Sequence, residues 1–163
     1  MTKHIFIPSI HSSSQLDSKR EKLFLAIKNH PEQGRKQMTR HSLLDLAAQN
    51  KAEDMVKSGY FGHTSPEGLS ANENIVLAGY QIPDYYSIKG NNGESIYKGN
   101  IGEPVDRPAT AWYESLGHRV HVYGLNNFYS DQEYIGIGWS ESEGSLAYVV
   151  FLSMPAQSEE DSV

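Results

Sequence analysis

The sequence predicts an α+β fold, with helices gathered in the first two thirds of the chain and strands closing it. Two observations carry this reading. Apolar residues recur at spacings of three and four through the first part of the chain, and the C-terminal part changes to runs of β-branched and aromatic residues. Helices followed by strands layer as α+β, whereas a parallel sheet needs the two in alternation.

A first helix is expected over residues 17–29, where Leu23, Ala26 and Ile27 follow Asp17 or Ser18 as N-cap and Pro31 closes the segment. A second starts at Ser42. There Leu43, Leu46, Ala47, Met55 and Val56, with Ala48 and Ala52, mark one broad apolar face, and Gly59 supplies the stop. Residues 70–78 repeat the pattern briefly before Gly79, and residues 104–113 predict a fourth helix with Pro108 near its first turn. Residues 134–139 and 146–152 read as strands, and the polar stretch 140–145 between them reads as their hairpin turn.

The ends differ from this body. Residues 1–16 include His11-Ser12-Ser13-Ser14-Gln15, which has no helical period, and residues 156–163 are mostly Ser, Glu and Asp. They are expected to be tails or edges around one domain spanning 17–155. A chain of 163 residues is the size of a single domain and buries roughly two thirds of its unfolded surface.

Composition excludes several functions. A formal charge of -6 disfavours a general nucleic-acid binder, which needs a basic surface to neutralise phosphates. With no cysteine there is neither a disulfide framework nor a thiolate ligand or nucleophile. The longest apolar runs, such as Ile5-Phe6-Ile7 and Val149-Val150-Phe151-Leu152, are too short for a transmembrane segment or a signal-peptide core. The expectation is a protein that stays inside the cell or one whose leader has been removed.

Three segments place His or Glu beside glycine or a turn, where a side chain reaches a cleft without burying its charge. They are Tyr60-Phe61-Gly62-His63-Thr64-Ser65-Pro66-Glu67-Gly68, Asn91-Asn92-Gly93-Glu94-Ser95-Ile96, and Ala111-Trp112-Tyr113-Glu114-Ser115-Leu116-Gly117-His118-Arg119. With Ile-Gly-Ile-Gly at 135–138 and the closing Tyr-Val-Val-Phe at 148–151, their order resembles the CAP superfamily, also called SCP-like domains. This is the family of cysteine-rich secretory proteins, antigen five and pathogenesis-related proteins, and the likeness is to its cysteine-free bacterial branch.

The resemblance implies a three-layer α-β-α sandwich with a central, mainly antiparallel sheet. It also implies a cleft in which His63, Glu94 and His118 meet and hold a divalent metal, with Glu114, two residues after Trp112, as candidate for the family's second glutamate. Many members carry that acid three residues after the tryptophan, and Ser95 stands where the family usually has asparagine. Two imidazoles and a carboxylate suit Zn2+, with water in the open position. For each residue a plainer reading stands alongside: a solvated or hydrogen-bonded histidine, a loop-ordering Glu94, a solvated Glu114 on a helix.

His121, three residues beyond His118, is read either as a spare ligand or as a surface or supporting residue. Ser65 beside His63 lacks a nucleophile-elbow motif, which places a serine hydrolase below the metal reading. Tyr85, Tyr86, Tyr97, Tyr113, Tyr123 and Tyr129 read as wall or core residues, some able to line a groove for carbohydrate or peptide. The expected function is an extracellular or cell-envelope binding module for a protein, peptide, carbohydrate or lipid ligand. A metal-dependent, peptidase-like hydrolase and a lipid or sterol binder are the alternatives, and the sequence implies no particular oligomeric state.

Overall fold

The computed structural model describes residues 13–157. In chain order its elements are α1 (Ser13–Lys28), β1 (Thr39–Arg40), α2 (Ser42–Ser58), α3 (Ala71–Leu77), β2 (Glu94–Asn100), α4 (Arg107–Glu114), α5 (Leu116–Val122), α6 (Asn127–Ser130), β3 (Tyr134–Glu141) and β4 (Leu146–Met154). The sheet runs β1-β3-β4-β2, antiparallel except for the short β1–β3 pairing.

Alternation along the strands divides the interior in two. Ile135, Ile137, Trp139, Val149 and Phe151 face α1, α4 and α5, where they pack with Leu23, Ile27, Trp112 and Val122. Val150, Leu152, Met154 and Ile96 face the other way and pack with Leu44, Ala48 and Met55 of α2 and Ile75 of α3. Helices thus cover both faces of a mainly antiparallel sheet, as the three-layer expectation requires.

Helix α2 is the element the sequence specifies most strongly. His41 caps it, its Nδ1 accepting from the Leu43 N–H at 3.1 Å, and Gly59 ends it in the left-handed region at φ 69°. The helix lies close against β3 because Gly136 and Gly138 have no side chains. A Cβ on either would sit 2.2 Å from the Leu44 carbonyl oxygen or 2.1 Å from that of Ala48. Since β1 is only two residues long, side chains take over its role beyond Ile135. Asp45 accepts from the Ile137 N–H at 3.0 Å, and the Gln49 amide both accepts from and donates to the backbone of Trp139 at 2.9 Å. A strand edge that would otherwise be open is closed in this way.

Two elements depart from the expected pattern. The first helix starts at Ser13, ahead of Asp17, inside the polar stretch read as lacking a helical period. Leu16 packs against the core there, and packing outweighs the weak helix preference of serine. The stretch 94–100, for which the sequence predicts no element, is β2. Lys98, Gly99 and Asn100 are poor strand formers, but they pair in register with the strongly apolar β4 from Glu94↔Leu152 to Asn100↔Leu146.

Candidate functional site

The loop that carries His63 is fixed from below by a lysine. On α2 the buried positions Leu44, Ala47, Ala48, Lys51, Ala52 and Met55 follow helical spacing, so Lys51 occupies a core position. It is 2% exposed. Its ammonium donates to the Tyr60 hydroxyl at 3.2 Å and to the His63 carbonyl at 3.3 Å, and it lies over the Tyr60 ring. Tyr60 in turn donates to Asp54 at 2.5 Å. Burial lowers the pKa of Lys51, while the negative charges of Glu94 and Asp54 oppose that shift.

Glu94 arrives at the same place from the sheet. Asn91 sets its approach: the Oδ1 atom accepts from the N–H groups of Gly93 (3.2 Å) and Glu94 (2.8 Å). Gly93 itself has no room for a side chain, since a Cβ would fall 2.0 Å from the Ser153 carbonyl oxygen. Behind Asn91, the fully buried Asn72 of α3 donates to the Ser87 carbonyl and to Asn92, both at 2.7 Å.

The two meet directly. His63 Nδ1 lies 2.8 Å from Glu94 Oε1, with the imidazole 44% exposed and the carboxylate side chain 1% exposed. A carboxylate only accepts, so Nδ1 carries a proton in this bond, and Nε2 lies outside it. Asn91 Nδ2 lies 3.2 Å from the same Nδ1 and 3.3 Å from the Glu94 carbonyl.

His118 stands on α5, half-buried, with Nδ1 2.9 Å from the Ser115 hydroxyl, so Nε2 is the nitrogen left for a ligand. Burial lowers its pKa, and a proton on His63 would lower it further. Glu114 pairs with an arginine. It is 62% exposed at the end of α4, and its carboxylate lies 3.6 Å from Arg107, which also pairs with Glu103.

His121 is no spare ligand. It is 4% exposed, and both ring nitrogens are engaged: Nδ1 at 2.7 Å from Ser95 Oγ and Nε2 at 2.8 Å from Ser153 Oγ. The proton positions follow from the neighbours. Gln132 donates its Nε2 hydrogens to the Tyr86 hydroxyl and the Asn92 carbonyl, so its Oε1 accepts the single Ser153 hydroxyl hydrogen at 2.6 Å. Ser153 Oγ therefore accepts from His121 Nε2 and from Arg35 Nη2, and His121 Nδ1 accepts from Ser95. Burial holds the imidazole neutral, well below the usual histidine range. The charges of Arg35, His118 and His63 act in the same direction, and a hydrogen bond with the Gly93 backbone acts against them. Arg35, buried against the carbonyls of His121, Val122 and Gln132, is lowered to about 9 and stays charged at neutral pH.

Among the described residues, no three His, Cys, Asp or Glu side chains form a group able to hold a metal. Glu94 is hydrogen-bonded to His63, and His118 stands separately on α5 with Ser115 as its partner. Ser65 is 6% exposed and its Oγ accepts from the Leu69 N–H, so it is a turn residue. Of the tyrosines, Tyr80, Tyr86 and Tyr123 are buried, whereas Tyr85 is 80% exposed. A groove between α1, α2 and the β3–β4 turn contains none of His63, Glu94 or His118.

Sequence reasoning did not single out Lys51, Asn72, Asn91, Gln132 or Ser153. Only Lys51 carries a plain signal, as a charged residue at a core position of an amphipathic helix.

Comparison with known proteins gives a consistent picture. The model of the cysteine-rich secretory protein family, CAP, matches residues 19–153. Among solved structures, an outer surface protein from Borrelia burgdorferi aligns with a TM-score of 0.66 and 15% identity, covering 93% of this chain and 100% of that one. An extracellular protein containing an SCP domain from Bacillus anthracis aligns with a TM-score of 0.57 and 12% identity, covering 88% of this chain and 44% of that one. A search of curated proteins finds no match. At these identities the structures establish the fold. Among the described residues, no helix is long and apolar enough to cross a membrane.

Proposed function

Because the chain belongs to the cysteine-rich secretory protein (CAP) family, we propose that it is an interaction module of the extracellular or cell-envelope type whose cleft holds a divalent ion, Zn2+ by preference, on the imidazoles of His63 and His118. The observation that carries this reading is the 2.8 Å bond from His63 Nδ1 to the buried Glu94 carboxylate, which occupies Nδ1 and leaves Nε2 outside that bond on an imidazole that is 44% exposed. A carboxylate behind a histidine fixes its tautomer and makes it a better metal donor.

His118 has its pKa lowered by burial, which favours the neutral form that binds a metal. Glu94 acts on the ion through His63, and Glu114 stays with Arg107 outside the donor set. Two protein donors leave half of a tetrahedral shell open. The open half suits a carboxylate or carbonyl of a protein or peptide partner, which favours a binding role. A hydrolytic role would need a positioned acid and an oxyanion site besides. The extracellular setting draws support from the outer surface and extracellular proteins of similar fold.

Isothermal titration with Zn2+ on the wild type and on the double variant His63→Ala, His118→Ala tests the proposal. Binding in the wild type that disappears in the double variant is the expected result. Equal heats from both would remove the metal from the account.

A further inference from the structure

We propose that His121 is the positioning residue of the cleft, setting the spacing between the helix that carries His118 and the strand that carries Glu94. This rests on the reading of His63, Glu94 and His118 as the site.

The connection is local. His118 and His121 lie three residues apart on α5, on neighbouring positions of one helix turn. Glu94 and Ser95 are successive residues of β2, so their side chains leave opposite faces of the sheet. Glu94 reaches His63 on one side, and Ser95 reaches His121 on the other, at 2.7 Å. The bond from His121 Nε2 to Ser153 at 2.8 Å secures the neighbouring strand, whose Ser153 N–H also donates to the Gly93 carbonyl at 2.9 Å. One imidazole therefore ties α5 to both the strand bearing the acid and the strand beside it.

Chemistry distinguishes this imidazole from a core filler. Its ring packs against Phe151 and Tyr129 like any buried aromatic. A phenyl ring would fill such a space without desolvating two nitrogens. Here each nitrogen meets a hydroxyl of the right polarity, and the Ser153 hydroxyl is itself ordered by Gln132 and Arg35. Among the described residues no buried side-chain polar atom lacks a partner. Networks in which every member is satisfied specify one geometry, because any displacement leaves a buried polar group unpaired.

The test uses the full chain without metal, in three variants. Ser95→Ala removes one bond, His121→Phe keeps the ring and removes both, and His121→Gln keeps one donor and one acceptor. Imidazole N–H resonances are recorded by 1H–15N NMR, together with the backbone amide spectrum. We expect the wild type to show a protected His63 Nδ1–H resonance. It should broaden or vanish in Ser95→Ala and His121→Phe, and recover in part in His121→Gln, while amides far from the cleft stay in place. Should His121→Phe fail to fold, Ser95→Ala decides. A His63 Nδ1–H resonance unchanged in Ser95→Ala and in every folded His121 variant would overturn the proposal. Zn2+ titration of the same samples is a separate readout, expected to weaken by about 10-fold. A wild type that binds no Zn2+ but whose variants lose the resonance would sink the metal reading and leave the positioning role standing.

Discussion

The Nδ1 atom of His63 lies 2.8 Å from Oε1 of Glu94, the one on the loop after α2 and the other on the first residue of β2. Each is held by its own support: Lys51 bonds the His63 carbonyl from the helix layer, and Asn91 with Gly93 sets the approach of Glu94 from the sheet. The pair is a junction between two layers of the sandwich. Removing the acid should therefore change the imidazole without unfolding the chain. Glu94→Gln is expected to lower Zn2+ affinity by about 10- to 100-fold. A titration matching the wild type would mean that His63 does not depend on Glu94.

Lys51 offers a prediction on stability. Lys51→Met keeps the length of the side chain but leaves the His63 carbonyl without this donor and the buried Glu94 carboxylate without its nearby cation. A loss of about 1–3 kcal/mol is expected, read as a lower urea midpoint at unchanged slope. Equal or greater stability would show that the ammonium's burial costs more than its contacts return.

The approach of α2 to β3 yields a sharper test. In Gly138→Ala the new Cβ would sit 2.1 Å from the Ala48 carbonyl oxygen, a backbone atom that can yield only if the helix moves. Overpacking of this kind costs about 1–3 kcal/mol. The melting temperature should fall by several degrees, and Gly144→Ala, where a Cβ meets nothing within 4 Å, serves as control.

These cases mark how far the sequence reaches. The second helix was readable because its apolar face is continuous from Leu43 to Val56, and the β3–β4 hairpin because its strands are β-branched and aromatic. The glycine-flanked segments drew attention to His63, Glu94 and His118, and of these the structure pairs His63 with Glu94. The strand β2 was hidden by Lys98, Gly99 and Asn100, whose extended form depends on pairing with β4. The supports Gln132 and Ser153 were hidden for a similar reason. Their partners lie 21 or more residues away in sequence, as with the 97-residue separation between Arg35 and Gln132. Only the closed sheet brings them together.

His121 predicts a pH dependence. Its pKa is 6.5 in the unfolded chain and well below that when folded, so between those values the unfolded state binds more protons. Stability should then fall as pH drops below 6.5. His118, lowered in the same sense, contributes in the same direction. Urea midpoints at pH 7.5 and pH 5.0 should converge in His121→Phe relative to wild type. An equal spread in both proteins would assign the acid sensitivity to other groups.

The most direct test of the account is the protonation pattern of His63, followed by long-range 1H–15N NMR as Zn2+ is added. The account predicts a proton on Nδ1 of His63, and a change on adding Zn2+ confined to Nε2 of His63 and the ring of His118. An Nδ1 of His63 that carries no proton, or spectra that Zn2+ leaves unmoved, would contradict it.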